Sequence, residues 1–383
     1  MKTLLLTNLY PNKREPNCGI FNYQQFKSFS KFAEIVAIVP ISWVAMRRFK
    51  ETENANLVLG DAANVYHPKY YYTPKLFRCL YGVFYFLSVL PNFSKVIREQ
   101  KPDVIIGTYA FPDGFAAILF GKIYKLPVFI KVHGSDVHSV NGMCRKKLTA
   151  WALRSCEKVI SVSNSLSITM QNRFGVLEKD ICVIPNGIIK EKFYVMPREN
   201  VIEKVKKYDK YNLNIVFVGN LKPVKNVMFL LEAFNRFVKR SNVSVGLHIL
   251  GEGEIRSEIE NYIAQSGLNN RVILHGRVLH DDVPVWMNYA DLFVLPSKNE
   301  GMPNVVLEAL SCGTPVVASN IEATREIIDA GINGYLFDLD DLDDFVKKLK
   351  LGLELKKAPE FDHKHDMIIT WQENAERLYQ IVA

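Results

Sequence analysis

Short apolar runs rich in β-branched residues recur along this chain, and most are separated by segments with helical periodicity. In the first half they are TLLLTNL from Thr3, EIVAIVPI from Glu34, DVIIGTY from Asp103, PVFIKVHG from Pro127, KVISVSN from Lys158 and ICVIPNG from Ile181. Helical patterns such as Phe111–Lys125 and Lys146–Cys156 lie between them. Continuous apolar strands joined by helices predict a parallel sheet covered on both faces. The plan then restarts with NIVFVGN from Asn214, SVGLHILG from Ser244, RVILHG from Arg271, DLFVLPS from Asp291 and TPVVAS from Thr314. Helical segments such as Asn226–Ser241 and Glu254–Gly267 follow. The expected fold class is therefore α/β: two Rossmann-like, doubly wound domains in tandem. A length of 383 residues agrees with two domains of roughly 100–200 residues each. The expected domains are 1–188, joined by a C-terminal helix at 369–383, and 189–368. The charged stretch Ile188–Asn212, which lacks a strand pattern, is expected to be the linker. Ligands of open parallel sheets bind outside the carboxyl ends of the strands, so two sheets facing each other predict a ligand in the cleft between them.

Charge is unevenly distributed. Residues 1–190 hold 25 Lys and Arg against 12 Asp and Glu, while residues 191–383 hold 23 against 28. The basic half also contains Tyr66–Arg98, with ten tyrosines and phenylalanines among scattered basic residues such as Lys69, Lys75 and Arg78. Its densest apolar run, Leu80–Leu90, is shorter than the about 20 residues of a membrane span. Two readings stand: a surface that lies on an anionic membrane, or a core helix with snorkelling lysines. Spread-out charge without a recognition motif argues against nucleic acid as a partner. The apolar run at the N-terminus is too short for a secretory signal and reads as a first strand. Cys18, Cys79, Cys144, Cys156, Cys182 and Cys312 show no metal-ligand spacing and read as apolar fillers in a reducing, cytoplasmic compartment.

The segment Pro296–Ser319, PSKNEGMPNVVLEALSCGTPVVAS, carries the strongest chemical signal. A buried strand ends in a loop with Glu300, Gly301 and Pro303, and a helix begins near Asn304. A helix start suits a diphosphate or sugar hydroxyls, because its amides and dipole favour anions. Glu308 lies one turn into the helix, so two carboxylates spaced by eight border one site as acceptors for sugar diols. In Val216–Asn226, VFVGNLKPVKN, a strand ends at Gly219 and Lys225 stands at the next helix start as a phosphate clamp. In KVHGSDVHS, Lys131–Ser139, His133 and Gly134 stand at a strand end, where a histidine can donate to a sugar hydroxyl or a phosphate. GEGEIR at Gly251 opens like a dinucleotide fingerprint, but Arg256 replaces the third glycine, which argues against a nicotinamide enzyme.

The run from Glu300 to Glu308, with Gly301, Pro303, Ala309, Gly313 and Pro315, resembles the signature of family 4 glycosyltransferases, which are retaining enzymes of the GT-B fold. The resemblance implies that Glu308 accepts hydrogen bonds from the donor ribose and that Glu300 contacts the transferred sugar. It implies that the backbone of Gly301, Met302, Pro303, Asn304 and Val305 lines the phosphate and sugar oxygens. Lys225 would bind the diphosphate beside Gly219 and Asn220, where the family often has an arginine in place of Asn220. His133 would contact the donor sugar, Gly19 would mark the first loop, Leu9–Phe21, and Arg277 and Val278 would belong to the loop that reads the base. Trp371 resembles the start of the family's final helix, which crosses back to the first domain. On this likeness the chain is expected to be a hexosyltransferase of bacterial surface-polysaccharide synthesis, working peripherally at the inner face of the membrane. Its donor would be a nucleotide sugar, expected to be a UDP-sugar, and its acceptor a saccharide or lipid-linked saccharide. No metal or cofactor is expected, because lysine and backbone amides take the metal's place. An epimerase or hydrolase of the same fold and a non-catalytic partner subunit remain as alternatives.

Overall fold

The computed structural model describes residues 1–15, 18–48, 63–74, 76–241, 243–358 and 368–383. Lys75 and part of the loop Leu9–Phe21 lie outside the described residues. The chain divides into two compact units, Met1–Gly187 with Ile369–Ala383, and Ile188–Ile368.

In unit 1 the described strands are β1 (Lys2–Leu6), β2 (Glu34–Ile38), β3 (Ala63–Tyr66), β4 (Val104–Thr108), β5 (Val128–Val132), β6 (Lys158–Ser161) and β7 (Ile181–Val183). They form one parallel sheet in the order β3-β2-β1-β4-β5-β6-β7. Every residue of β4 and β5 is buried, as expected of strands with helices on both faces. Two helices matter below: α1 (Ile20–Phe29) and α2 (Tyr81–Gln100). Strand β3 was not legible in the sequence. It is an edge strand with Asn64 exposed, so it lacks the continuous apolar run of the others.

Unit 2 contains β8 (Leu213–Val218), β9 (Val245–Leu250), β10 (Val272–Gly276), β11 (Leu292–Leu295), β12 (Val316–Ser319) and β13 (Gly334–Phe337). These are parallel in the order β10-β9-β8-β11-β12-β13. Strand β13 is another addition to the sequence reading. Its first residue must be glycine, because a Cβ on Gly334 would stand 2.0 Å from the Val316 carbonyl oxygen. Helix α3 (Val227–Arg240) follows β8, and α4 (Asn304–Ser311) follows β11. The expected linker Ile188–Asn212 is corrected: it belongs to unit 2 and contains a helix, Arg198–Val205, that buries Val201 and Val205. Its charged residues had hidden that two-residue apolar stripe.

The chain ends in α5 (Trp371–Val382), which belongs to unit 1 and packs on α1. Thr370 and Glu373 form a capping box at its start. Ala375, Leu378 and Val382 join Phe26, Phe29, Ile35 and Ile106 in one core. A polar chain runs beneath. The buried Lys131 ammonium donates to Gln25 Oε1 (2.6 Å), Gln25 Nε2 donates to Asn374 Oδ1 (2.6 Å), and Asn374 Nδ2 donates to the Pro185 carbonyl (2.5 Å). Burial lowers the Lys131 ammonium to about 7.

All six cysteines are free, and only Cys312 is buried, so the filler reading holds for that one. Cys144 is exposed at the start of the helix Met143–Ser155, where the neighbouring Cys79 thiol raises its pKa.

A histidine pair under the unit 2 sheet gives a pH prediction. His248 Nε2 donates to Asn214 Oδ1 (3.2 Å), which leaves His248 Nδ1 to accept from His275 Nε2 at 3.0 Å. Trp286 and Tyr208 pack on His275 at 4.2 and 4.6 Å. Burial, with His275 beside it, lowers His248 to about 3; burial, with the Lys207 charge, lowers His275 to about 4. Both folded values lie below the about 6.5 of an unfolded histidine. The stability they contribute is therefore whole above about pH 6.5 and is lost as pH falls towards the folded values. The urea midpoint, followed by Trp286 fluorescence, is expected to fall between pH 7 and pH 4.5. A His275→Gln variant should show a smaller fall, and an equal one would contradict this account.

Candidate active site

The strand order of unit 2 reverses between β8 and β11, and ligands of such sheets bind in the crevice at that reversal. The loops after these two strands carry the candidate residues. After β8 the backbone passes Gly219, whose amide donates to the Leu250 carbonyl (3.0 Å), and closes a 3-10 turn at Pro223–Lys225. Asn226, in the left-handed region, then starts α3. Gly251 lets these loops meet: its φ is +150°, and a Cβ there would stand 1.9 Å from the Gly219 carbonyl oxygen. After β11, the Lys298 amide donates to the Val224 carbonyl (2.8 Å), tying the second loop to the first.

This tie brings Lys225 and Glu300 together across 75 residues of sequence. Lys225 Nζ donates to Glu300 Oε1 at 2.5 Å, with side-chain exposures of 22% and 15%. The pair is sheltered enough to matter electrostatically and open enough to meet a ligand. Helix α4 begins at Asn304 behind Pro303, and the Asn304 amide turns back to the Met302 carbonyl (3.1 Å). Glu308, one turn in, has its Oε1 3.5 Å from His280 Nε2. His280 was missed by the sequence reading. It lies in the loop after β10, close behind Arg277 and Val278, and a histidine in a loop gives no periodic signal. Arg277 and Asn220 are exposed, and Val278 is half-buried.

Unit 1 carries a second group of candidates at the carboxyl edge of its own sheet. Gly19 precedes α1 with φ +62°, and a Cβ there would stand 2.2 Å from the Leu9 carbonyl oxygen, so glycine is needed. Two residues on, the Phe21 ring packs against His133 with centroids 4.5 Å apart. Asp136 organises the loop around His133. One of its oxygens accepts from the amides of His133 and Gly134 (both 2.9 Å), and the other from the Ala110 amide (2.8 Å). Burial, with the Lys131 charge below, holds His133 well under the usual histidine range, so the ring is neutral. Neither ring nitrogen has a hydrogen-bond partner among the described residues, although both are buried. A neutral imidazole so placed can donate from one nitrogen and accept at the other.

Comparison with known proteins gives these residues a family. A model described as Glycosyltransferase Family 4 matches residues 42–192, and one described as Glycosyl transferases group 1 matches residues 212–354. The chain belongs to the family 4 glycosyltransferases. Among curated relatives, it is 28% identical over 334 residues to a putative teichuronic acid biosynthesis glycosyltransferase, TuaC, of Bacillus subtilis, covering 84% of this chain and 81% of that protein. It is 27% identical over 271 residues to a UDP-Gal:alpha-D-GlcNAc-diphosphoundecaprenol alpha-1,3-galactosyltransferase of Escherichia coli, covering 69% of each. Among solved structures, the Anabaena protein HepE in complex with UDP superposes with a TM-score of 0.72 at 17% identity, covering 99% of this chain and 95% of that one. That likeness fixes the GT-B fold of this glycosyltransferase, with two Rossmann-like domains.

Proposed function

We propose that this glycosyltransferase moves a hexose from a UDP-sugar to a saccharide or lipid-linked acceptor in bacterial surface-polysaccharide synthesis, with retention of configuration and without a metal. The Lys225–Glu300 ion pair carries this reading, because it sets a diphosphate ligand and a sugar ligand side by side at the strand-order reversal of unit 2. A UDP donor is supported by the nucleotide bound to HepE and by the donor in the galactosyltransferase's name. A lipid-linked acceptor is supported by the diphosphoundecaprenol acceptor in the galactosyltransferase's name, and surface-polysaccharide synthesis by the name of TuaC.

In this reading Lys225 releases Glu300 to the sugar and pairs with the diphosphate, while Gly219, Asn220 and the backbone from Gly301 to Val305 line the phosphates. Glu308 accepts from the ribose hydroxyls, and the backbone at Arg277 and Val278 meets the base. His133 donates to the donor sugar. The acceptor hydroxyl attacks the anomeric carbon on the face from which the phosphate leaves. As the carbon–phosphate-oxygen bond breaks, the departing phosphate oxygen takes the acceptor's proton. The protein contributes position and stabilisation of the departing charge. Lys225 takes the charge-stabilising role at the departing diphosphate.

Thermal shift with UDP tests the donor site, since a ligand bound only by the folded state raises the melting temperature. Glu308→Gln is expected to reduce the shift, whereas Glu300→Gln should keep it and lower turnover. Wild-type behaviour in both would sink the assignment. Proton NMR of the product at early times is expected to show the donor's anomeric configuration, with turnover persisting in excess EDTA. An inverted product would exclude the same-face reaction.

A further inference from the structure

Unit 1 has an aromatic cleft of about 380 Å³ lined by Trp43, Tyr71, Tyr72, Thr73 and Phe84, within the roughly 300–1,000 Å³ usual for small-molecule sites. It stands at the carboxyl edge of the sheet. The Val39 amide donates to the Tyr66 carbonyl and the Ile41 amide to the Pro68 carbonyl, and Ile41–Ser42 then pairs in parallel with Lys69–Tyr70 beyond the ends of β2 and β3. The cleft is built rather than incidental. Trp43 Nε1 donates to the Tyr72 carbonyl (2.8 Å), Tyr81 OH donates to the Thr73 carbonyl (2.7 Å), and the Tyr81 ring packs on Tyr72 at 4.7 Å. Tyr70 packs edge-on to Tyr85 at 5.0 Å behind it.

Two further observations say what would fill the cleft. The surrounding surface is apolar: Tyr71, Leu76, Phe77 and Leu87 are each more than half exposed. The helical stretch Arg78–Gln100 is long and apolar enough to cross a membrane, yet only 28% of its most apolar window is buried. The stretch that supplies most of the cleft lining carries only basic charge. From Ala63 to Arg98 the sequence has no acidic residue, and the Arg47 guanidinium lies 4.9 Å over the Trp43 ring. Behind the cleft, burial pushes the Asp113 carboxyl well above its usual range, and the nearby Asp136 adds to the rise.

We propose that this cleft receives the hydrocarbon chain of the acceptor's lipid anchor, with Arg47 pairing the anchor's phosphate. The proposal rests on the glycosyltransferase reading with a lipid-linked acceptor. An aromatic wall beside a guanidinium group matches an amphiphile whose chain begins at a phosphate, because the rings take the apolar chain and the cation the anion. A soluble saccharide or a neutral lipid would leave the Arg47 guanidinium unanswered.

Trp43 is a reporter inside the cleft. The full-length protein is titrated with decyl phosphate below its micelle concentration, with butyl phosphate and decyl glucoside as controls. Decyl phosphate is expected to shift the tryptophan emission saturably and at least tenfold more tightly than either control. Trp43→Phe should remove the signal, and Phe84→Ser should weaken binding at least tenfold with an unchanged far-UV spectrum. Equal response to butyl and decyl phosphate, or an unaltered Phe84→Ser titration, would overturn the proposal. So would a shift seen only with phosphatidylglycerol vesicles, which would make a bilayer lipid the occupant. Stabilisation by UDP, read in the same samples, belongs to unit 2. Its loss with decyl phosphate binding intact would count against the donor reading alone.

Discussion

Lys225→Ala is expected to lower turnover with a UDP-sugar by about 10²–10³, the usual cost of removing one preorganised group that stabilises a leaving charge. The fall should lie mainly in kcat, because the leaving diphosphate carries more charge in the transition state than in the bound donor. Removing the ammonium also leaves Glu300, only 15% exposed, without its partner and facing an anionic ligand. The double variant Lys225→Ala, Glu300→Gln should therefore lose much less than the product of the two single losses, as expected for residues in direct contact. Lys225→Arg should not restore activity fully, since a planar fork does not replace a point charge at the end of a tight turn. Steady-state and single-turnover kinetics would check all three. Full turnover in Lys225→Ala would remove the lysine from the reaction.

Leu378→Ala is expected to be the most damaging conservative change in unit 1. Leu378 is fully buried in α5, within the core that contains Phe26 and Phe29. Truncations of this kind cost about 2–5 kcal/mol, a large part of the 5–15 kcal/mol that holds a typical domain together. Tyr379 beside it packs on Phe29 and Phe32 at 6.3 and 6.0 Å, so the helix has little freedom to collapse into the gap. Calorimetry of the full chain should show an earlier transition for unit 1, while UDP still raises the transition of unit 2. Because the units can unfold separately, a single midpoint would not describe the result. An unchanged profile would mean that α5 adds little to that core.

The sequence carried the fold well wherever strands are buried on both faces. β4, β5, β8, β9 and β11 are apolar throughout or nearly so, and the periodicity of β-branched residues marks them. The two sheet-edge additions were hidden because one face of an edge strand meets water, as at Asn64, or because the strand is short and begins with glycine, as at Gly334. Residues at strand ends in the candidate site could be named from motif alone: Lys225, Glu300, Glu308 and His133. Their pairing could not. That Lys225 meets Glu300 depends on β8 and β11 being neighbours, which is a property of strand order rather than local pattern. His280 beside Glu308 and the three amides gathered on Asp136 were illegible for the same reason. The charged stretch Ile188–Asn212 misled because a short helix with two buried valines looks like a linker when most of its other residues are Arg, Lys, Glu and Asn.

Because α5 completes a core begun by α1, the order in which a ribosome delivers the chain differs from the order in which its parts can be finished. Unit 2 emerges as one uninterrupted stretch and can close while synthesis continues. Unit 1 has the seven strands of its main sheet early, yet Phe26 and Phe29 wait without α5 until residues 369–383 appear. During that interval the nascent chain presents an apolar groove to the cytosol and to its neighbours on the same message. Slowed translation late in the message, or bulk fused behind α5, would lengthen the wait and lower the yield of folded protein with every residue of the reaction centre intact.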